Sequence, residues 1–287
     1  PVDGDWLPCM EVRRVDCKGG YAMVDTWFKH WAQGHDNIVT IVGFKTVGRL
    51  AHFHPLGKSV VTLFHRRLGV DFSAATSSAY IFSKSKELFY DFWTGSSTPL
   101  VVSDIDVSIH DSSDLFGLPR YFVRDLNGTT VGFLTLRGSR SPAKTLPHAK
   151  IIPSVTRCLR KLHGASVIVA ISHYFKSPSE EEGLKSFDID AVIMASEYSD
   201  KDLQKHKIDA TPYRMNDTWM VPLPMSTGWI SHVDLQAEFD RVPSVTRKSV
   251  KITRPLPPEL HGTQDHFDAA QWLQNLVNDA QSDPTVV

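Results

Sequence analysis

Leu126-Asn127-Gly128-Thr129-Thr130-Val131-Gly132-Phe133-Leu134-Thr135-Leu136 is the most informative stretch of the chain. Asn-Gly accepts positive φ at both corners of a two-residue turn, so it joins antiparallel strands without splaying them. The β-branched and aromatic residues after it favour an extended backbone. Tyr121 to Arg124 supplies the partner strand on the other side of the turn. Beyond this pair, Ile152 to Leu162 has helical spacing, and Val167 to Ile171 and Ala191 to Met194 are short unbroken apolar runs. Such runs suit strands buried on both faces of a parallel sheet. Glu180 to Lys185 reads as the helix between them.

The same texture continues toward the N-terminus. Ile38 to Gly43 is a further β-branched run, and Pro99 to Val102 another short strand. Tyr21 to Trp31 places Ala22, Met23, Trp27 and Trp31 at roughly helical intervals. Lys58 to Leu68 gathers Val60, Val61, Leu63, Phe64 and Leu68 on one helical face, and Gly69 stands where a left-handed residue closes a helix. Strands alternating with helices predict an α/β fold containing parallel strands, with antiparallel elements mixed in. From Tyr213 onward the pattern changes. Trp219 to Pro224 and Gly228 to Phe239 read as extended, Pro255-Leu256-Pro257-Pro258 as a stiff connector, and Asp265 to Ala280 as an amphipathic helix. Residues 1–240 are expected to form the α/β domain and residues 241–287 a C-terminal extension.

Composition narrows the class without naming a function. The 287 residues carry 31 Lys+Arg against 32 Asp+Glu, a formal net charge of -1, which argues against a nucleic-acid-binding body. A hydrophobic fraction of 41% is too high for a disordered chain. No run of about 18 apolar residues occurs, so no membrane span is expected. Three cysteines, Cys9, Cys17 and Cys158, are too few and too scattered for a disulfide framework or a cysteine zinc site. The 13 histidines raise the question of a metal. The chain starts at Pro1 rather than Met, which points to a processed product or an excised fragment. A cytoplasmic or cytoskeleton-associated setting is favoured and export stays open. Asn127-Gly128-Thr129 and Asn216-Asp217-Thr218 are glycosylation sequons that matter only outside the cytosol.

Several segments, in order, resemble the metallophosphoesterase domain of the 5'-nucleotidase family. Ser113-Asp114-Leu115-Phe116, Tyr121-Phe122-Val123 and the hairpin around Asn127-Gly128 are similar to one extended segment and hairpin of that family. Gly57-Lys58-Ser59-Val60-Val61 through Leu68-Gly69-Val70-Asp71 is similar to the helix after its second metal motif. Gly164 to His173 resembles its strand ending in a serine- or threonine-histidine pair, and Asp188 to Ile193 the strand leading into its last histidine motif. The likeness covers roughly residues 15 to 240. It implies two facing mixed β-sheets flanked by helices, and it implies a two-metal hydrolase site at the strand ends.

A binuclear site needs carboxylate and imidazole ligands converging on both ions. At the positions the resemblance implies, this chain supplies few of them. The glycine-aspartate motif reads Gly43-Phe44, which puts a phenyl ring where a bridging carboxylate belongs. Ser77 and Ser78 stand where asparagine and histidine are expected, and Ser196 and Tyr198 replace the last two imidazoles. Asp5 is the best candidate for the first motif, without its histidine; His173 alone keeps a ligand-type residue. No resident metal or other cofactor is expected, and no catalytic residue is assigned. The resemblance therefore implies a pseudoenzyme retained as a protein-interaction scaffold or regulatory subunit. Two other functions stay open: a non-hydrolytic sensor of nucleotide or phosphate, and an active metal-dependent phosphohydrolase with a relocated site using Asp5, His52, His54 or Asp104 near His173.

Simpler roles suffice for the other conspicuous residues. His52 and His54 read as loop residues, and His30 and His35 as capping or solvated residues beside Asp36. Gly43-Phe44-Lys45 with Gly48-Arg49 lacks Walker-type spacing for a phosphate loop. Lys201 to Lys207 reads as a solvated helical face, and Ser177 to Glu182 as a helix start. Cys158, within an apolar helical pattern, is expected to be a buried inert thiol. Trp272 and Leu276 on the terminal helix are the residues most suited to docking a protein partner, whose identity the sequence does not specify.

Overall fold

Positive φ at Asn127 (51°) and Gly128 (85°) closes the hairpin as the Asn-Gly pair requires, and the Gly128 N–H donates to Asp125 Oδ1 at 2.9 Å. The structure is a computed structural model that describes residues 28–30, 32–43, 65–74, 98–104, 118–136, 148–173, 188–196, 211–224, 229–238, 241–251 and 275. β4 (Phe122–Leu126) and β5 (Thr129–Leu136) pair antiparallel around that turn. β5 then pairs in parallel with β6 (Val167–His173), β6 with β7 (Ala191–Ser196), and β7 with β9 (Thr218–Pro224). β8 (Tyr213–Met215) joins β9 antiparallel, giving a six-stranded mixed sheet in the order β4-β5-β6-β7-β9-β8. The predicted α/β fold with mixed strand directions is therefore the fold observed.

A second layer is built from a parallel three-stranded sheet, β1 (Ile41–Gly43), β2 (Phe72–Ala74) and β3 (Leu100–Val101), and an antiparallel pair, β10 (Trp229–Glu238) and β11 (Arg241–Lys251). The alternation of side chains along each strand decides what meets what. Val131 and Phe133 of β5, Val167, Val169 and Ile171 of β6, and Val221 of β9 face Phe72, Ala74, Val101, Val242 and Val245 of the second layer. Phe72 lies 4.9 Å from Phe122 and 5.4 Å from Phe133, ring centre to ring centre. The intervening residues Leu134, Leu136, Ile168, Ala170, Val192, Met194 and Met220 face the opposite way. They pack on Ile152, Val155 and Leu159 of helix α1 (His148–His163).

Three differences from the sequence reading have physical causes. β1 is shorter than Ile38 to Gly43, because the Thr40 N–H donates to the Asp71 carboxylate rather than to a strand. β2 and β8, three residues each, are too brief for periodicity to mark. β11 is obscured by Pro243 and four basic residues, yet Arg241–Lys251 is extended as the partner of β10. Residues 28–30 and 65–67 are helical, within the predicted helices Tyr21 to Trp31 and Lys58 to Leu68. The second of these ends as expected: Gly69 has φ 61°, its N–H donates to Arg66 O, and the Val70 N–H donates to His65 O. The expected helices at Glu180 to Lys185 and Asp265 to Ala280 lie outside the described residues, apart from Asn275.

Two features of this packing have measurable consequences. A Cβ on Gly132 would come within 2.8 and 2.9 Å of the two methyl carbons of the buried Leu159 side chain. Gly132→Ala is therefore expected to lose about 1–3 kcal/mol in chemical denaturation despite its better strand propensity, because α1 cannot sit so close. His65 is 2% exposed, its Nδ1 has no hydrogen-bond partner, and burial lowers its pKa from 6.5 to about 4. The fold thus favours the neutral ring. That contribution is complete above the unfolded value, is lost as pH falls below it, and levels off below the folded value. Denaturation should show about 2 kcal/mol less stability at about pH 5 than at about pH 7, and His65→Leu should remove that component.

Candidate functional site

Ligand sites of open α/β sheets lie outside the carboxyl ends of the parallel strands. In this chain those ends are Gly43 of β1, Ala74 of β2, Val101 of β3, Leu136 of β5, His173 of β6, Ser196 of β7 and Pro224 of β9. Register brings two of the sequence-selected residues to adjacent strands: His173 pairs with Ala195, the residue before Ser196. Gly43 pairs with Ala74, so Phe44 follows one strand end, and Ser77 and Ser78 lie three and four residues past the next. Asp5, Phe44, Ser77, Ser78, Tyr198, His52, His54, Trp272 and Leu276 lie outside the described residues. His35 is exposed, with its ring 5.6 Å from that of His232 on β10.

The carboxyl ends of the two layers are joined by polar groups. β4 stops opposite Phe133, so the free edge of β5 beyond that point needs another partner. Ser103, which follows β3, supplies it. The Thr135 N–H donates to Ser103 Oγ at 2.9 Å, the Ser103 N–H donates to Thr135 Oγ1 at 3.3 Å, and Thr135 Oγ1 donates to Val101 O at 2.8 Å. Ser103 Oγ in turn donates to Arg120 O, and Arg120 Nη1 donates to Ser103 O at 2.9 Å. Ser103, Thr135 and Asp104 are all 0% exposed.

Asp104 Oδ2 lies 3.5 Å from His148 Nε2, which belongs to the first residue of α1. A buried carboxylate thus stands within ion-pair distance of a partly exposed imidazole at the carboxyl edge of the strands. The sequence drew attention to Asp104 but not to His148, Ser103, Arg120 or Thr135. No local motif marks these four; their association depends on how β3 meets β5. Among the described residues, no three His, Cys, Asp or Glu side chains stand close enough to hold one metal ion.

At the opposite ends of the strands, Arg160 anchors α1. Its Nε and Nη2 donate to Asp188 at 3.0 Å each, Nη2 also donates to Asp190 Oδ2 at 2.9 Å, and Nη1 donates to Ala165 O at 2.8 Å. Burial pushes the Asp190 carboxyl above its ordinary range, against the pull of the Ile168 N–H and the Arg160 guanidinium. Cys158 departs from expectation. It is half-buried, and its thiol donates to the Tyr121 hydroxyl at 3.5 Å, 2.9 Å from which lies His163 Nε2. That thiol, with burial, holds the Tyr121 hydroxyl above its usual pKa.

No protein-family model matches the sequence, and no curated protein matches it. Solved structures do. The chain is similar to a 5'-nucleotidase precursor from Thermus thermophilus (16% identity, TM-score 0.65, 92% of this chain against 54% of that one). It is similar to the sulfate thiohydrolase SoxB of Thermus thermophilus (14% identity, TM-score 0.65, 92% against 47%). It is also similar to NAD nucleotidase from Haemophilus influenzae (13% identity, TM-score 0.62, 92% against 60%). The fold is metallophosphoesterase-like. The chain spans between 47% and 60% of the length of these three structures.

The buried hydrogen bonds of the Ser103–Thr135 seam give it a clear test. Thr135→Val keeps the shape but removes the acceptor of the Ser103 N–H and the donor to Val101 O. It is expected to cost about 1–3 kcal/mol in urea denaturation, whereas a mutation at the exposed Arg124 should cost under about 1 kcal/mol.

Proposed function

We propose that this chain is a metallophosphoesterase-like domain without hydrolytic activity, acting as a protein-interaction scaffold or regulatory subunit. The observation that carries this function is the donor chemistry at the strand ends. Phe44 follows Gly43, Ser196 closes β7, and Ser77, Ser78 and Tyr198 occupy the other implied ligand positions. A phenyl ring donates nothing to a cation, and neutral hydroxyls are weak substitutes for imidazole and carboxylate. His173 with at most one carboxylate cannot share two ions. This donor set does not fit a binuclear centre.

One observation favours a second function, a phosphohydrolase with a relocated site. The buried Asp104 carboxylate facing His148 is the type of pair that supports a general base. Both functions are separated by one set of measurements on the purified chain. Elemental analysis after loading with zinc, manganese or cobalt is expected to find well under one ion per chain. Incubation with a panel of nucleotides and phosphate esters is expected to show no turnover above that of a His148→Ala variant. Stoichiometric metal with robust turnover would sink the scaffold proposal, and turnover abolished by Asp104→Asn or His148→Ala would establish the relocated site. Thermal shifts with the same nucleotides test the ligand-sensor alternative, for which stabilisation without cleavage is the required result.

A further inference from the structure

Helix α1 presents two contrasting faces. Ile152, Val155, Thr156 and Leu159, spaced i, i+3, i+4 and i+7, are buried against the sheet. Lys150, Ser154, Arg157 and Lys161, spaced i, i+4, i+7 and i+11, form an exposed stripe on the opposite side. Residues 148–163 contain no Asp or Glu. Exposed helix faces commonly alternate charge so that residues four apart attract; here Arg157 and Lys161 are four apart and repel. Lys150 stands in the first turn, where the helix dipole disfavours a cation. Among the described residues, Lys150, Arg157 and Lys161 have no ion-pair partner. Lys161, in the last turn, is favoured by the same dipole, so the terms against the helix are Lys150 in the first turn and the Arg157–Lys161 repulsion.

An apolar side chain flanks the C-terminal end of this stripe. Leu162 follows Lys161 and is turned about 100° from it around the helix; it is 76% exposed, the most exposed large hydrophobic side chain among the described residues. We propose that this face of α1 docks an acidic segment of a protein partner, carboxylates along Lys150, Arg157 and Lys161 and an apolar side chain reaching Leu162 on the flank of the stripe. The proposal rests on the scaffold function, and it names the chemistry of the partner. Nucleic acid is a poorer match, because the chain as a whole has a net charge of -1 and the stripe is one helix wide. A membrane surface is a poorer match as well, since interfacial helices bury a whole apolar face rather than one leucine.

The test uses the full chain and a synthetic helical peptide with glutamates at the same i, i+4, i+7 and i+11 spacing and a leucine beside the last. Fluorescence anisotropy at about 50 mM salt should show saturable binding that weakens markedly at about 300 mM. A glutamine-for-glutamate peptide should not bind. R157E/K161E should lower affinity by about tenfold or more, and L162S by several-fold, with circular dichroism unchanged because all three side chains are exposed. No saturable binding, or binding insensitive to R157E/K161E, would overturn the proposal. So would tighter binding of duplex DNA or of phosphatidylserine vesicles through the same residues, which would assign the face to a different occupant. Metal loading and turnover are measured independently, so failure of the scaffold function and failure of this docking face are distinguishable.

Discussion

The central sheet is buried on both faces, and that single constraint propagates through the rest of the fold. A strand with helix on one side and a second layer on the other cannot afford the polar alternation of a half-exposed strand. β6 accordingly runs Val167, Ile168, Val169, Ala170, Ile171, all buried, and β5 is buried from Val131 to Leu136. Odd residues of these strands build the core between the layers and even residues the core beneath α1. The two cores therefore share one backbone. Shifting the register of a strand by one residue would exchange its contributions to both at once.

Burial on this scale also dictates where polar groups are tolerated. A buried N–H or C=O without a partner costs about as much as several surface interactions contribute. The free edge of β5 past Phe133 is therefore closed by Ser103 and Thr135, and the amino ends of β6 and β7 by Asp190, which accepts from the Ile168 N–H at 2.7 Å. At the far edge, Trp219 Nε1 donates to Val242 O at 2.7 Å, and Arg247 Nη1 donates to Pro222 O, so the β10–β11 pair is tied to β9 by side chains rather than by a ladder. These contacts fix the relation of the layers more than their areas do, because each has a direction.

How much of this is legible in the sequence depends on whether the cause is local. Asn127-Gly128 and Gly69 announce their structures because positive φ restricts the residues that can stand there. The apolar runs at Val167 and Ala191 announce buried strands because they are short, largely β-branched and bounded by polar segments, too brief for a buried helix. β2 is illegible from periodicity: Phe72-Ser73-Ala74 has no pattern of its own and is a strand only because β1 and β3 flank it. The same holds for the carboxyl-edge groups. Thr135 sits in a run that reads as uniformly apolar strand, and His148 precedes the part of α1 that carries helical periodicity. Nothing local links them to Ser103 and Asp104, more than 30 residues earlier in each case.

On the proposed function, the polar closure of the strand ends takes on a further meaning. In a metal-dependent domain, ions bound to the folded state add to stability and neutralise the carboxylates clustered at those ends. A domain that gives up those ions must also give up the unpaired carboxylates, since like charges held together without a cation repel. Phe44 and Ser196 at the implied ligand positions would do both, standing as groups that need no ion where the resemblance implies groups that do. The carboxylate that remains buried among the described strand ends, Asp104, has an imidazole beside it. Under that proposal, loss of ligands and retention of the fold are parts of one adjustment, because the groups that replace the ligands need no ion to be stable at the strand ends.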